Sequence, residues 1–223
     1  MILLEVVCCS LEECLAAEGA GADRIELCAS IELDGLTPPV DLLEAAKSRV
    51  GIPIVTMVRP RAGDFIYSDL ELHKMRCDAE RLAGSDADGL VLGCLTPQGS
   101  VDVQACSFVI DNVADVDLVF HKAIDVCTDV MAAARAIESI GFTRVLTSGG
   151  ARTALEGASV LRRMAEDSRL QVLAGGGIRA HNVREVVEKS GVAQVHFGAF
   201  KGPETDRIER GRAEIIAARS AGS

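Results

Sequence analysis

The pattern of apolar positions changes period repeatedly along the chain. Short strand-like runs lie at 3–7, 24–27, 54–58, 90–92, 118–121, 145–147, 171–174 and 194–197, several of them almost uninterrupted by charge. β-Branched and aliphatic residues dominate them, and continuous apolar runs are what burial on both faces of a parallel sheet requires. Between them, amphipathic stretches with helical spacing occupy 11–20, 40–47, 70–83, 103–112, 130–140, 154–165, 183–189 and 207–218. Four of the helix starts carry an N-cap residue three positions before a glutamate: Ser10 with Glu13, Ser68 with Glu71, Thr153 with Glu156, and Asn182 with Glu185. Such pairs predict reciprocal capping boxes.

Eight strand–helix units in 223 residues predict a compact single-domain (β/α)8 TIM barrel spanning 1–223. A doubly wound open sheet is the runner-up. Its usual first turn is G-x-G-x-x-G, whereas here that turn reads Cys8-Cys9-Ser10. No linker or low-complexity segment interrupts the alternation.

Composition narrows the function classes. The chain has 33 acidic and 23 basic residues, a net charge of −10, and no basic stripe, which argues against nucleic acid and against an anionic membrane. No apolar run is long enough to span a bilayer. The N-terminus meets Glu5 at once and lacks a basic region, so a signal peptide is not expected. The eight cysteines, with no C-x-x-C pair, are therefore expected as thiols in a reducing cytoplasm.

Candidate chemistry gathers where strands end, the place where barrels build their sites. Strand one carries Glu5, strand two Glu26 and then Cys28, strand three leads into Arg59 and Arg61, strand five into His121 and Asp125, and strand eight carries His196. Period-two alternation puts Glu5 with Val7, Glu26 with Cys28, and His121 with Ala123 and Asp125. With those faces inward, carboxylates, guanidiniums and imidazoles converge, and buried guanidiniums call for an anionic partner, from a ligand or from the chain itself. The turns after strands six and seven, with Ser148 and Gly149 and then Gly175, Gly176 and Gly177, offer backbone N–H groups to an anion, or simply permit tight turns.

Several of these segments together resemble the CutC family. They are 22–29 (A-D-R-I-E-L-C-A), 35–38 (G-L-T-P), 57–68 (M-V-R-P-R-A-G-D-F-I-Y-S), 120–125 (F-H-K-A-I-D), 146–149 (L-T-S-G) and 174–178 (A-G-G-G-I). The resemblance implies a cytoplasmic barrel associated with copper homeostasis, able to form homo-oligomers, in which Cu(I) is proposed to bind cysteine. It implies no organic cofactor. The family's first strand has cysteine two residues after the glutamate, where this chain has Val7; Cys28 matches, and Cys9 or Cys8 is left to supply a second soft ligand. Two other readings stand beside copper handling. One is an isomerase or lyase on a small carboxylated or phosphorylated metabolite, using Glu5, Glu26, Arg59, Arg61, His121, Asp125 and His196. The other is a non-catalytic binding or assembly protein whose pocket is an internal salt-bridge network.

Overall fold

The computed structural model describes residues 2–200 and 206–222. Eight parallel strands close into a barrel in sequence order, the last pairing with the first. The strands are β1 (Leu3–Cys8), β2 (Arg24–Leu27), β3 (Ile54–Met57), β4 (Gly89–Leu92), β5 (Asp117–Phe120), β6 (Arg144–Thr147), β7 (Gln171–Ala174) and β8 (Gln194–Phe197). The helices are α1 (Leu11–Gly19), α2 (Val40–Lys47), α3 (Asp69–Gly84), α4 (Val103–Ile110), α5 (Val130–Ser139), α6 (Ala158–Asp167), α7 (Val183–Ser190) and α8 (Arg207–Ala221). The closed barrel of the sequence reading is thus the architecture, and the open sheet is excluded. Among the described residues, no helix is long and apolar enough to cross a membrane.

Alternation along the strands divides the core in two. Val6 and Cys8, Ile25 and Leu27, Leu90 and Leu92, and Phe120 point outward into a large apolar layer under the helices. Val7, Cys28, Val55, Met57, Val91 and Val119 point inward and fill the middle of the barrel. The amino-terminal end of the barrel is polar. Arg24 Nη2 donates to Gln194 Oε1 at 2.8 Å, Gln194 Nε2 to Gln171 Oε1 at 2.8 Å, and Arg144 Nη2 to Asp117 Oδ2 at 2.9 Å. These residues open strands, which is why several strands begin one residue before their apolar run.

The capping expectations hold in part. Ser68 and Glu71 form the full reciprocal box at the start of α3. Ser10 Oγ accepts from Glu13 N–H, but Glu13 Oε2 takes the N–H of Cys9 rather than that of Ser10. Asn182 is occupied with its own approach loop, accepting from Arg179 N–H and donating to the Gly177 carbonyl. Thr153 caps a turn, and α6 starts later than expected, at Ala158. The segment before α6 folds back over β6 so closely that a Cβ on Gly157 would lie 1.9 Å from the Ser148 carbonyl oxygen. Two 3-10 turns, Ile31–Leu33 and Lys122–Val126, also lay outside the expected pattern.

Candidate functional site

The carboxyl ends of the strands surround a cavity of about 600 Å³. Glu26, Cys28, Arg59, His121, Asp125 and His196 all reach its wall. Four local constructions make up that wall.

The first is a carboxylate–imidazole–carboxylate array, of which Glu26 and His196 line the cavity. The register pairs Glu5 with both Arg24 and His196, so these three side chains share one inward layer. Arg24 Nε donates to Glu5 Oε2 at 2.6 Å, and His196 Nδ1 lies 2.8 Å from Glu5 Oε1. The other ring nitrogen of His196 sits 3.6 Å from Glu26 Oε2. Burial opposes charge on Glu5, but the bond to His196 and the Arg24 charge outweigh it and hold its pKa at about 2. Burial likewise opposes charge on His196, yet Glu26 and Glu5 together raise its pKa above the ordinary value. The array is therefore an ionised carboxylate against an imidazole whose protonated form its two acidic neighbours favour.

The second construction is the thiol pair. Cys9 follows β1 and Cys28 follows β2, and their Sγ atoms lie 3.4 Å apart. The hydrogen bond with Cys28 lowers the Cys9 pKa against the effect of burial, while the same bond and then burial push the Cys28 thiol up. Cys9 is thus the more acidic thiol of the two. Cys8, the other candidate, faces the opposite way. It is buried under α1, where burial and then Cys14 hold it firmly as a thiol. One residue of alternation separates the two fates.

The third construction is the wall built by the loop after β3. Arg59 is buried but pairs with no carboxylate in its hydrogen bonds. Its Nη1 donates to the carbonyls of Leu33, Asp34 and Gly35, and its Nη2 to that of Gly63. The guanidinium thereby staples the Ile31–Leu33 turn to the β3–α3 loop. Phe65 lies beneath it, 5.0 Å from ring centroid to guanidinium carbon, and the His121 ring packs on the same phenyl at 4.8 Å. Burial, and then the Arg59 charge, lower the His121 pKa to about 3, so this imidazole is neutral. Arg61 does not join the wall. It turns outward to Asp64 Oδ1 and Glu71 Oε1 and stacks on Tyr67.

The fourth construction is the turn after β6, where Asp125 takes backbone N–H groups that the sequence reading offered to an anion. Asp125 sits on the 3-10 turn rather than on the strand, and its carboxylate fills the nest itself. Oδ1 accepts from Thr147 Oγ1 at 2.5 Å and from the N–H groups of Ser148 and Gly150, both at 3.0 Å. Gly149 N–H goes to Thr147 Oγ1, and Gly175 N–H continues the ladder onto the Thr147 carbonyl. Gly176 and Gly177 hold positive φ angles, and the Gly176 carbonyl accepts from Ala154. Lys122, which the sequence reading did not place in the site, bridges Asp125 Oδ2 at 2.5 Å and Ser148 Oγ at 3.0 Å. Arg24 was missed as well. Its signal was present in the recurrence of a polar residue at the first position of β2, β5, β6, β7 and β8.

The molecule is an eight-stranded parallel βα barrel with a charged, thiol-bearing cavity at its carboxyl-terminal face. Comparison with known proteins narrows the class. A sequence model described as the CutC family matches residues 2–201. The chain is 42% identical to a CutC family protein of Treponema denticola, over 91% of this chain and 83% of that protein. It is 41% identical to the human copper homeostasis protein cutC homolog, over 88% of this chain and 73% of that one. The crystal structure of CutC from Streptococcus agalactiae superposes with a TM-score of 0.83 at 32% identity, covering 88% of this chain and 98% of that chain. The chain belongs to the CutC family. A thiamine phosphate pyrophosphorylase from Pyrococcus furiosus, at TM-score 0.65 and 18% identity over 99% of this chain and 95% of that one, shares the barrel alone.

Proposed function

We propose that this chain serves copper homeostasis by binding Cu(I) between the thiolates of Cys9 and Cys28. The observation that carries this reading is the 3.4 Å approach of the two Sγ atoms, one of them on the cavity wall. Cu(I) selects soft thiolate ligands over the carboxylates and imidazoles that share the cavity. The lowered pKa of Cys9 makes it the readier of the two thiols to ligate, and thiol protons leave as the metal binds, so affinity rises with pH. Val7, which stands where the family has cysteine, packs into the interior cluster beside Cys28, and Cys9 supplies the thiol from two residues further on. This reading places the chain in the reducing cytoplasm, with its eight cysteines as free thiols, and in a homo-oligomer, as the family resemblance implies.

The test is an anaerobic titration of reduced protein with Cu(I) against a competing chelator. One equivalent is expected to bind tightly to the wild type. Cys9→Ser and Cys28→Ser are each expected to abolish that binding, while Cys8→Ser leaves it intact. Binding that survives both of the first two substitutions would sink the assignment.

A further inference from the structure

Cysteines meet in pairs at several points among the described residues: Cys8 with Cys14, Cys94 with Cys106, and Cys9 with Cys28. The first two pairs are buried throughout, whereas Cys9 is half-buried and within reach of a small solute. The barrel's own register brings the last pair together. Cys8 pairs with Leu27, and the Cys28 N–H donates to the Cys8 carbonyl at 3.0 Å. The parallel ladder thus runs one residue past the strands and sets Cys9 opposite Cys28. Neighbouring strands lie about 4.8 Å apart, within the Cα separation of about 4.4–6.8 Å that a disulfide spans. The two sulfurs, 3.4 Å apart, need to approach by only about 1.4 Å to bond. Glu13 Oε2 holds the Cys9 N–H at 2.6 Å, which anchors the backbone and leaves that closure to side-chain rotation.

We propose that Cys9 and Cys28 form a modification site for hydroperoxides, in which peroxide oxidises Cys9 and Cys28 closes it into a reversible disulfide. In the first step the Cys9 sulfur attacks one peroxide oxygen. The O–O bond breaks, an S–O bond forms, and Cys9 becomes a sulfenic acid with release of one water. In the second step the Cys28 sulfur attacks the Cys9 sulfur. The S–S bond replaces the S–O bond, and the departing hydroxyl takes the Cys28 proton as a second water. The two sulfurs together give up two electrons, and the peroxide accepts them. Cys28, although buried, needs no access from solvent, because Cys9 is its partner in the step. The other two pairs lack an open member to take the first step. The consequence rests on the copper reading: closure consumes both proposed ligands, so peroxide expels Cu(I) and reduction restores the site.

The experiment treats reduced, metal-free, full-length protein with hydrogen peroxide, alkylates the remaining thiols, and maps the cysteines by tryptic digestion and mass spectrometry. The expected product is a disulfide joining residues 1–24 to residues 25–47, assigned to Cys9 and Cys28 by fragmentation. It should form before the exposed Cys77 is consumed and disappear with dithiothreitol. Cys9→Ser is expected to lose the link and Cys8→Ser to keep it. In Cys28→Ser, dimedone is expected to trap Cys9 as the sulfenic acid. Oxidation of Cys77 with Cys9 and Cys28 still reduced would overturn the proposal, as would a link that survives Cys9→Ser. The wild-type map does not depend on any variant folding. Copper is tested separately, by Cu(I) titration of peroxide-treated protein and of the same protein reduced again and desalted; loss and then recovery of binding are expected. A link formed by protein that binds no Cu(I) when reduced would sink the copper reading and leave the disulfide standing. Tight Cu(I) binding with no link would overturn the disulfide alone.

Discussion

A neutral buried His121 commits the protein to losing stability as it is acidified, by an amount the structure sets. The ring is 4% exposed, and burial together with the Arg59 charge lowers its pKa from 6.5 to about 3. Since the folded state resists the proton that the unfolded state accepts, the unfolded state binds more protons below the ordinary pKa. Stability therefore falls with pH from about 6.5 down to about 3. Between about pH 7.5 and about pH 5, the linkage integral for this one group is about 2 kcal/mol. The assay is urea denaturation of wild type and His121→Phe at both pH values. Phenylalanine preserves the contact with Phe65 and removes the titration. Any constant penalty of the substitution cancels, because only the change with pH is compared. His196 contributes with the opposite sign: its raised pKa adds stability as pH falls to 6.5, and this is common to both proteins. The wild type is expected to lose about 2 kcal/mol more than the variant over this range. Equal losses would mean that His121 titrates in the folded state as it does in a peptide.

Three further predictions concern the frame of the site. Glu5→Gln leaves the buried Arg24 without its charge partner and is expected to cost about 3–5 kcal/mol, whereas Glu5→Leu with Arg24→Met should recover at least half; equal losses in urea melts would refute the pairing. Asp125→Asn removes the charge-assisted bonds to Thr147, Ser148 and Gly150, at a cost of about 2–3 kcal/mol, and should speed hydrogen exchange at the Ser148 and Gly150 amides; unchanged protection would count against an occupied nest. Gly157→Ala should cost about 3 kcal/mol or more because its Cβ would lie 1.9 Å from the Ser148 carbonyl oxygen, while Gly84→Ala, with open space around its Cβ, serves as the neutral control in the same melts.

The barrel was legible because its signal is distributed: each strand and helix carries its own period, and an error at one boundary leaves the others intact. The inward faces of β1 and β2 followed from alternation, which places Glu5, Glu26 and Cys28 as expected. Alternation stops predicting where the strand stops. Asp125 was placed with His121 by strand spacing, but the chain has already entered a 3-10 turn there, and the carboxylate swings to the next loop. Arg59 and Arg61, two residues apart, read as one pair in sequence. A turn between them sends the first inward and the second to Asp64 and Glu71, and no local pattern encodes that divergence. Cys9 beside Cys28 is a contact between two loops, and it became evident only once β1 and β2 were placed side by side.

The cluster of Glu5, Glu26 and His196 has the donor types of a hard divalent-metal site, and all three groups lie close together. Its ion pairs and hydrogen bonds argue against that use. Metal ligation by histidine needs a ring nitrogen free of its proton. Here both nitrogens face carboxylates, at 2.8 Å and 3.6 Å, and the pair of acids raises the imidazole pKa rather than lowering it. Glu5 is further committed, since its second oxygen already holds Arg24. A divalent ion entering the cluster would compete with the proton that both acids favour on His196 and weaken the bond to a buried guanidinium. Mn(II) tests this cleanly, because it favours carboxylate and imidazole and competes poorly for the thiols of Cys9 and Cys28. As a paramagnet it broadens the signals of any group that binds it. The His196 ring signals are expected to broaden no more than those of the exposed His73 and His181 when Mn(II) is added near neutral pH. Selective broadening of His196, abolished by Glu26→Gln, would move the metal chemistry of this cavity from its thiols to its carboxylates.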